Sequence, residues 1–229
     1  MRWLSNLWWR LIRFGFRLLY YELAFTYDIV SRIVSLGVWR GWQRTVFKYL
    51  PESQDGMLLE LAHGTGNLQL DLAERGFRSV GYDLSPQMGR LARKKMQRHN
   101  VQVMLVQGRA QQLPFVSGAF SGVLATFPTD FMFQDETLAE IHRVLVEEGV
   151  LVVVLSGTFS GKGLARVLLE WLYRITGQRH IEVDVDAAYR RIQDRLNSRG
   201  FETQITNEPC NRSSALLVVG SKIMLPNSQ

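Results

Sequence analysis

The stretch MLLELAHGTGNLQLDLAERGFRSVGYDLSPQM, residues 57–88, decides the fold. It opens on a short apolar run, Met57–Leu61, which reads as a strand. The run passes directly into Ala62-His63-Gly64-Thr65-Gly66-Asn67 and then into a helical stretch, Leu68–Glu74. Ser79–Asp83 reads as a second strand that ends in a carboxylate. Gly64 and Gly66 let the backbone approach a ligand closely and turn sharply into a helix. Asp83 stands seventeen residues past Gly66, where a carboxylate can accept hydrogen bonds from both hydroxyls of a ribose. On general grounds these residues offer an adenosine site.

The alternation continues outward. Ser85 suits a helix N-cap and Pro86 a first helical position, which predicts a helix over Ser85–His99. Val101–Gln107 and Gly122–Thr126 read as the third and fourth strands. A helix follows around Glu136–Val146, and Gly149–Ser156 is the fifth and most apolar strand. Beyond it, Gly163–Ile175 and Asp186–Ser198 read as helices, the second closed by Gly200 as a C-cap. Phe201–Thr206 and Ser214–Lys222 read as two last strands. Strands alternating with helices predict a doubly wound α/β fold, a mainly parallel sheet covered on both faces. Ligands then bind outside the carboxyl ends of the strands, at the switch point.

Four blocks carry a resemblance: LLELAHGTGNLQLDLA (58–73), YDLSPQM (82–88), GRAQQLPF (108–115) and EIHRVLVEEGVLVVV (140–154). In order and spacing, residues 57–156 resemble the class I S-adenosylmethionine-dependent methyltransferases, of the small-molecule type that includes the ubiquinone and menaquinone biosynthesis enzymes. The resemblance implies a Rossmann-like, seven-stranded sheet with a C-terminal antiparallel hairpin and an N-terminal helical cap. It implies S-adenosylmethionine as cofactor and a small-molecule acceptor. Carried over by position, Glu60 would end the first strand, and Ala62, Gly64 and Gly66 would wrap the methionine moiety, with His63 beside its carboxylate or filling the loop. Asp83 would hold the ribose. Leu84 and Met88 would pack near adenine, edged by Gly108 and Ala110. Thr126 and Phe127 would line the floor where the methyl group is delivered, and Tyr27 would cover the cofactor. Two departures stand out. The first loop glycine of the family is Ala62 here, a mild change if its backbone angles are ordinary. The family's aspartate before Ala110 is Arg109, which has no acceptor for the adenine amino group, so adenine recognition rests on backbone groups or Arg109 points to solvent.

The chain has 229 residues and a net charge of +6. Residues 1–50 hold eight basic and two acidic side chains, and the remainder is balanced at nineteen of each. The basic excess belongs to one end, which implies a partner of that end. Wound as a helix, residues 1–20 put Arg2, Arg10, Arg13 and Arg17 on one face and Leu4, Leu7, Trp8, Leu11 and Phe14 on the other, with Trp3, Trp9 and Tyr20 at the borders. That pattern suits a helix lying in a membrane interface; the alternative is packing on the core or in a dimer. Its arginines argue against a spanning helix and against a signal peptide. Without Lys-rich loops or a second basic surface, nucleic acid is not an expected partner. Residues 21–50 read as further helix with bends at Gly37 and Gly41. The domain expectation is therefore a cap over residues 1–50 and a cofactor-binding domain over 51–225.

The single cysteine, Cys210, reads as a small hydrophobe near a turn, and its solitude suits a reducing, cytoplasmic setting, with the inner face of the membrane as a peripheral site. No His or Cys pair stands at metal-ligand spacing. Asp130, in the turn after the fourth strand, is the best-placed candidate base. His142 and His99 read as structural and His180 as a solvated loop residue. Two other readings fit the same residues. A nicotinamide-dependent oxidoreductase shares the glycine turn and Asp83, but G-x-G-x-x-G is broken at Gln69. A membrane-associated adapter that has lost activity would account for Ala62 and Arg109. The sequence leaves the acceptor, the methylated atom and the oligomeric state open.

Overall fold

The computed structural model describes residues 38–51, 55–159, 185–211 and 213–223. Tyr27, the 1–20 amphipathic stretch, Gly37, the 163–175 helix and His180 lie outside them. Seven strands form one sheet: β1 (Met57–Leu61), β2 (Arg78–Asp83), β3 (Met104–Gln107), β4 (Phe120–Thr126), β5 (Leu145–Phe159), β6 (Phe201–Cys210) and β7 (Ser213–Lys222), in the order β3-β2-β1-β4-β5-β7-β6. The first five are parallel; β7 runs antiparallel between β5 and β6. The order reverses between β1 and β4, so the switch point lies at the carboxyl ends of β1, β2 and β4.

Both faces are covered, and the alternation along single strands shows it. Leu59, Leu61, Leu151 and Val153 point to one side, where Leu138, Ile141 and Val144 of α4 (Asp135–Val144) and Leu196 of α5 (Val185–Asn197) pack. Leu58, Val152 and Val154 point to the other. There they meet Leu68 and Leu72 of α2 (Asn67–Glu74), Trp42 of α1 (Trp39–Arg44) and Val46 of the 3₁₀ helix Thr45–Tyr49. The helix α3 (Pro86–Arg98) begins as expected, the Ser85 hydroxyl accepting from the Met88 amide at 3.3 Å.

Four differences from the sequence expectation each have a local reason. The third strand starts at Met104 rather than Val101 because Val101 closes α3. Asn100 is left-handed (φ 53°), and the amides of Asn100 and Val101 donate to the carbonyls of Gln97 and Met96, a Schellman motif. Helix α4 stops at Val144, since Leu145 is extended (ψ 140°) and pairs with Phe120 as the start of β5. The last strands are longer than expected, pairing in register from Phe201–Lys222 to Cys210–Ser213. Gly41 does not bend the chain but sits inside α1; a Cβ there would lie 2.9 Å from the Cys210 sulfur, so glycine allows close packing.

Two carboxylates hold the α1 region to the sheet. Asp71 on α2, fully buried, accepts from Arg40 Nε at 3.0 Å, Arg40 Nη2 at 2.8 Å and Arg44 Nη2 at 2.6 Å. Burial alone would raise the Asp71 carboxyl, but the arginine hydrogen bonds outweigh it and hold it below the usual range. Glu208 on β6 accepts from Lys48 and Tyr49. Three of the eight basic residues of the N-terminal fifty, Arg40, Arg44 and Lys48, are thus engaged within the fold.

Candidate active site

The carboxyl ends of β1, β2 and β4 bring most of the expected residues together. Ala62 follows β1, and its amide donates to the Tyr82 carbonyl at 2.8 Å. Ala62, Gly64 and Gly66 all have positive φ (54°, 56° and 78°). The condition under which alanine would be a mild change at position 62, ordinary backbone angles, is not met: an L side chain occupies the left-handed region at a cost of about 1–2 kcal/mol. Gly66 has a second reason to be glycine, since a Cβ there would meet Ala92 of α3 at 2.9 Å.

Asp83 ends β2 with both carboxylate oxygens fixed by backbone. Oδ2 accepts from the Gly64 amide at 2.9 Å and Oδ1 from the Ser85 amide at 2.8 Å. Each oxygen keeps a lone pair for a further donor, the arrangement a vicinal diol requires. Leu84 beside it is exposed, at 54%, an apolar surface where a base could lie. Met88, in the first turn of α3, is fully buried. On the next strand, the Gly108 amide donates to the Asp83 carbonyl at 3.1 Å, and a Cβ at Gly108 would collide with the Tyr82 hydroxyl at 1.9 Å. Ala110 is buried in the core, and the Arg109 side chain is exposed.

Glu60 and His63 lie beneath this rim. Glu60 is 1% exposed, and its Oε2 accepts from Gln69 Nε2 at 2.8 Å, while Ser79 donates to the same amide's oxygen at 2.9 Å. Burial pushes the Glu60 carboxyl up to about 8; the Gln69 hydrogen bond offsets part of this, and Asp83 adds to it. His63 is buried, with Nδ1 2.9 Å from the Gly64 carbonyl, so Nδ1 carries the proton. Burial lowers its pKa and the ring stays neutral.

At the end of β4, Thr126 and Phe127 meet α1. Thr126 Oγ1 accepts from Gln43 Nε2 at 2.9 Å. Phe127 has φ 51°, an outlier for a bulky residue, and its ring stacks on Trp39 with centroids 3.9 Å apart. Trp42 leans on the same ring at 6.2 Å, its indole nitrogen donating to Ser213 at 3.0 Å. Gln43 Oε1 is buried and has no partner among the described residues, a state that costs about 1–3 kcal/mol. Sequence reasoning missed Trp39, Trp42 and Gln43. One signal was available: residues 39, 42, 43 and 46 fall on one helical face, and a glutamine there interrupts an otherwise apolar stripe. Asp130 is exposed at the start of the 3₁₀ turn Asp130–Phe133. A separate cleft of about 470 Å³, lined by Ala73, Phe77, Val101 and Met104, opens at the amino ends of β2 and β3, away from this cluster.

Residues 58–149 match the family model for the methyltransferase domain. This stretch is therefore similar to a methyltransferase domain. The chain is 37% identical, over 136 residues, to the demethylmenaquinone methyltransferase of Thermus thermophilus, covering 58% of this chain and 62% of that one. It is 32% identical over 144 residues to the ubiquinone/menaquinone biosynthesis C-methyltransferase UbiE of Citrifermentans bemidjiense, covering 60% and 61%. The chain thus spans about three fifths of the length of the curated relatives it matches. A solved structure from Methanococcus maripaludis, provisionally assigned as an S-adenosyl-L-methionine-dependent methyltransferase, shares the fold at TM-score 0.66, with 18% identity over 89% of this chain and 94% of that one. The sheet also departs from the dinucleotide-binding strand order 3-2-1-4-5-6 by inserting antiparallel β7 between β5 and β6. Among the described residues there is no group of His, Cys, Asp and Glu that could hold a metal, and no helix long and apolar enough to cross a membrane.

Proposed function

We propose that this chain transfers a methyl group from S-adenosylmethionine to a small, apolar, quinol-type aromatic acceptor. The observation that carries the reading is the Asp83 carboxylate, fixed by the Gly64 and Ser85 amides beside a left-handed loop at the switch point. When bound, S-adenosylmethionine supplies an already activated methyl group on a sulfonium. Asp83 receives the ribose hydroxyls, the 62–66 loop wraps the methionine moiety, and Leu84 and the Gly108–Ala110 backbone flank adenine. Glu60 and His63 support the loop from below. Thr126, Phe127 and Trp39 form the floor that orients the acceptor and excludes water. The names of the relatives support a carbon of a quinone-type ring as the methylated atom. A ring carbon that takes up the methyl group would have to give up its proton. Asp130 is the candidate base for that proton, and Tyr27 the candidate cover of the cofactor.

We also propose that residues 1–50 cap the 51–225 domain, and that residues 1–20 bring the cytoplasmic chain to an anionic membrane surface, where an apolar acceptor is found. Deleting residues 1–20 is expected to abolish binding to vesicles containing phosphatidylglycerol; unchanged binding overturns this part.

The central test is calorimetry with S-adenosylmethionine and S-adenosylhomocysteine, followed by transfer of labelled methyl to a demethylated naphthoquinol. Micromolar binding, about −8 kcal/mol, and label in the quinol are expected. Failure of both cofactor ligands to bind would favour the inactive adapter, and tighter binding of NADH would favour an oxidoreductase.

A further inference from the structure

Among the described residues, Gln43 is the buried side chain at the floor of the site with an unused hydrogen-bonding end. It is 7% exposed, and its Nε2 is committed to Thr126 Oγ1 at 2.9 Å. Its Oε1 has no partner among the described residues. Side chains this deeply buried are nearly always satisfied, and an exception calls for a reason such as a catalytic role or a bound ligand. Reversing the amide would not remove the exception. Thr126 would then donate to the oxygen, and both N–H groups would be left open in place of the carbonyl and one N–H.

Gln43 also stands beside an aromatic surface. Trp39, one turn back on α1, stacks on Phe127, the residue after Thr126. Phe127 is held in the left-handed region, its amide donating to the Val154 carbonyl at 2.8 Å. A glutamine one turn from Trp39 and bonded to the residue before Phe127 suits a flat aromatic ring that carries a hydroxyl.

Resting on the quinol reading above, we propose that Gln43 is a specificity-determining residue: its Oε1 accepts a hydrogen bond from a ring hydroxyl of the methyl acceptor. A reduced, dihydroxy ring supplies the missing donor. The oxidised quinone supplies only carbonyl oxygens, which would face the Gln43 oxygen without a proton between them. Gln43 therefore selects the reduced form of the acceptor, whose ring is electron-rich and ready for methylation at carbon. The same hydrogen bond draws the hydroxyl proton outward and raises the electron density of the ring.

The test uses the full chain with S-adenosylhomocysteine bound. Quenching of tryptophan fluorescence reports binding of 1,4-dihydroxynaphthalene, kept reduced, against 1,4-dimethoxynaphthalene, which has no donor. The wild-type chain is expected to prefer the diol at least about tenfold, the scale of one well-made hydrogen bond. Gln43→Leu is expected to lose that preference while keeping its affinity for S-adenosylhomocysteine. A purely structural glutamine would instead shift the melting temperature and leave the diol-to-diether ratio intact, which overturns the proposal. Equal binding of diol and diether by the wild-type chain overturns it too, and this comparison decides the matter if Gln43→Leu does not fold. If the wild-type chain binds S-adenosylhomocysteine but neither naphthalene, the quinol reading falls and this inference falls with it. If it binds both naphthalenes and only the preference is missing, the quinol reading stands without Gln43.

Discussion

The loop around Asp83 and the cluster around Gln43 lie at the same edge of the sheet, yet they are built in opposite ways. The first is made by backbone. The Gly64 and Ser85 amides fix Asp83, the Ala62 amide reaches Tyr82, and the Gly66 amide reaches His63, all within residues 62–85. The second is made by side chains from distant parts of the chain, Gln43 reaching Thr126 across 83 positions and Trp39 stacking on Phe127. The first has its polar groups paired; the second holds a buried amide oxygen without a partner among the described residues. The difference teaches where generality and individuality sit. One invariant ligand can be met by a short loop of fixed shape, whereas an acceptor that varies between enzymes is met by side chains that can vary independently.

The comparison breaks most sharply at Asp83. On the proposed reading, replacing it with alanine removes two charge-assisted hydrogen bonds to the ribose, each worth about 1.5–3 kcal/mol. It also frees the Gly64 and Ser85 amides. Asp83→Ala should weaken S-adenosylhomocysteine binding by at least about 100-fold in calorimetry, while the Trp39–Phe127 stack and its fluorescence stay unchanged. A loss smaller than about threefold would show that the loop binds without its carboxylate.

A middle-sized effect is expected at Glu60, the buried acid of the backbone-built half. Its pKa of about 8 lies above the unfolded value near 4.5. Between those values the folded chain holds a proton that the unfolded chain has released, so this residue lowers stability as pH rises. The slope approaches 1.4 kcal/mol per pH unit, and the loss reaches about 3 kcal/mol at pH 7. Below pH 4.5 both states are protonated and the effect is absent. His63, kept neutral by burial, acts in the opposite sense, its destabilisation confined to pH below its unfolded value. Subtracting Glu60→Gln from wild type therefore isolates the acid. Urea denaturation at pH 5, 6, 7 and 8 should show the variant gaining on wild type with each step. A constant difference would mean that Glu60 is ionised in the folded chain.

The two halves also differ in how far the sequence reveals them. Six of the seven strands were legible to within three residues at their starts, because apolar runs bounded by turns carry the period directly. The exception in spirit is β5, which begins four residues early at Leu145 because that residue pairs with Phe120, a partner 25 positions away. The start of β3 was hidden by a closing bond, Val101 being apolar but spent on ending α3. In the site, Gly64, Gly66 and Asp83 were legible because a close turn and a strand-end carboxylate are local features. Gln43 was not, because its meaning lies in what Thr126 and Phe127 bring from elsewhere. The basic excess of the N-terminal fifty was legible as a count but not as a state, since Asp71 and Glu208 engage three of its members.

The smallest expected effect sharpens the comparison from inside the backbone-built half. If that loop is defined by its backbone path, the side chain at Ala62 contributes strain and nothing else. Its φ of 54° costs an alanine about 1–2 kcal/mol. Glycine removes that cost but adds backbone freedom to the unfolded chain, worth about 0.4–1 kcal/mol in the other direction. Ala62→Gly should therefore stabilise the chain by about 0.5–1 kcal/mol in urea denaturation, with cofactor affinity unchanged because the Ala62 amide keeps its bond to Tyr82. A loss of cofactor affinity on making this change would mean that the methyl group of Ala62 touches the ligand, and that the loop is read by side chain as well as by shape.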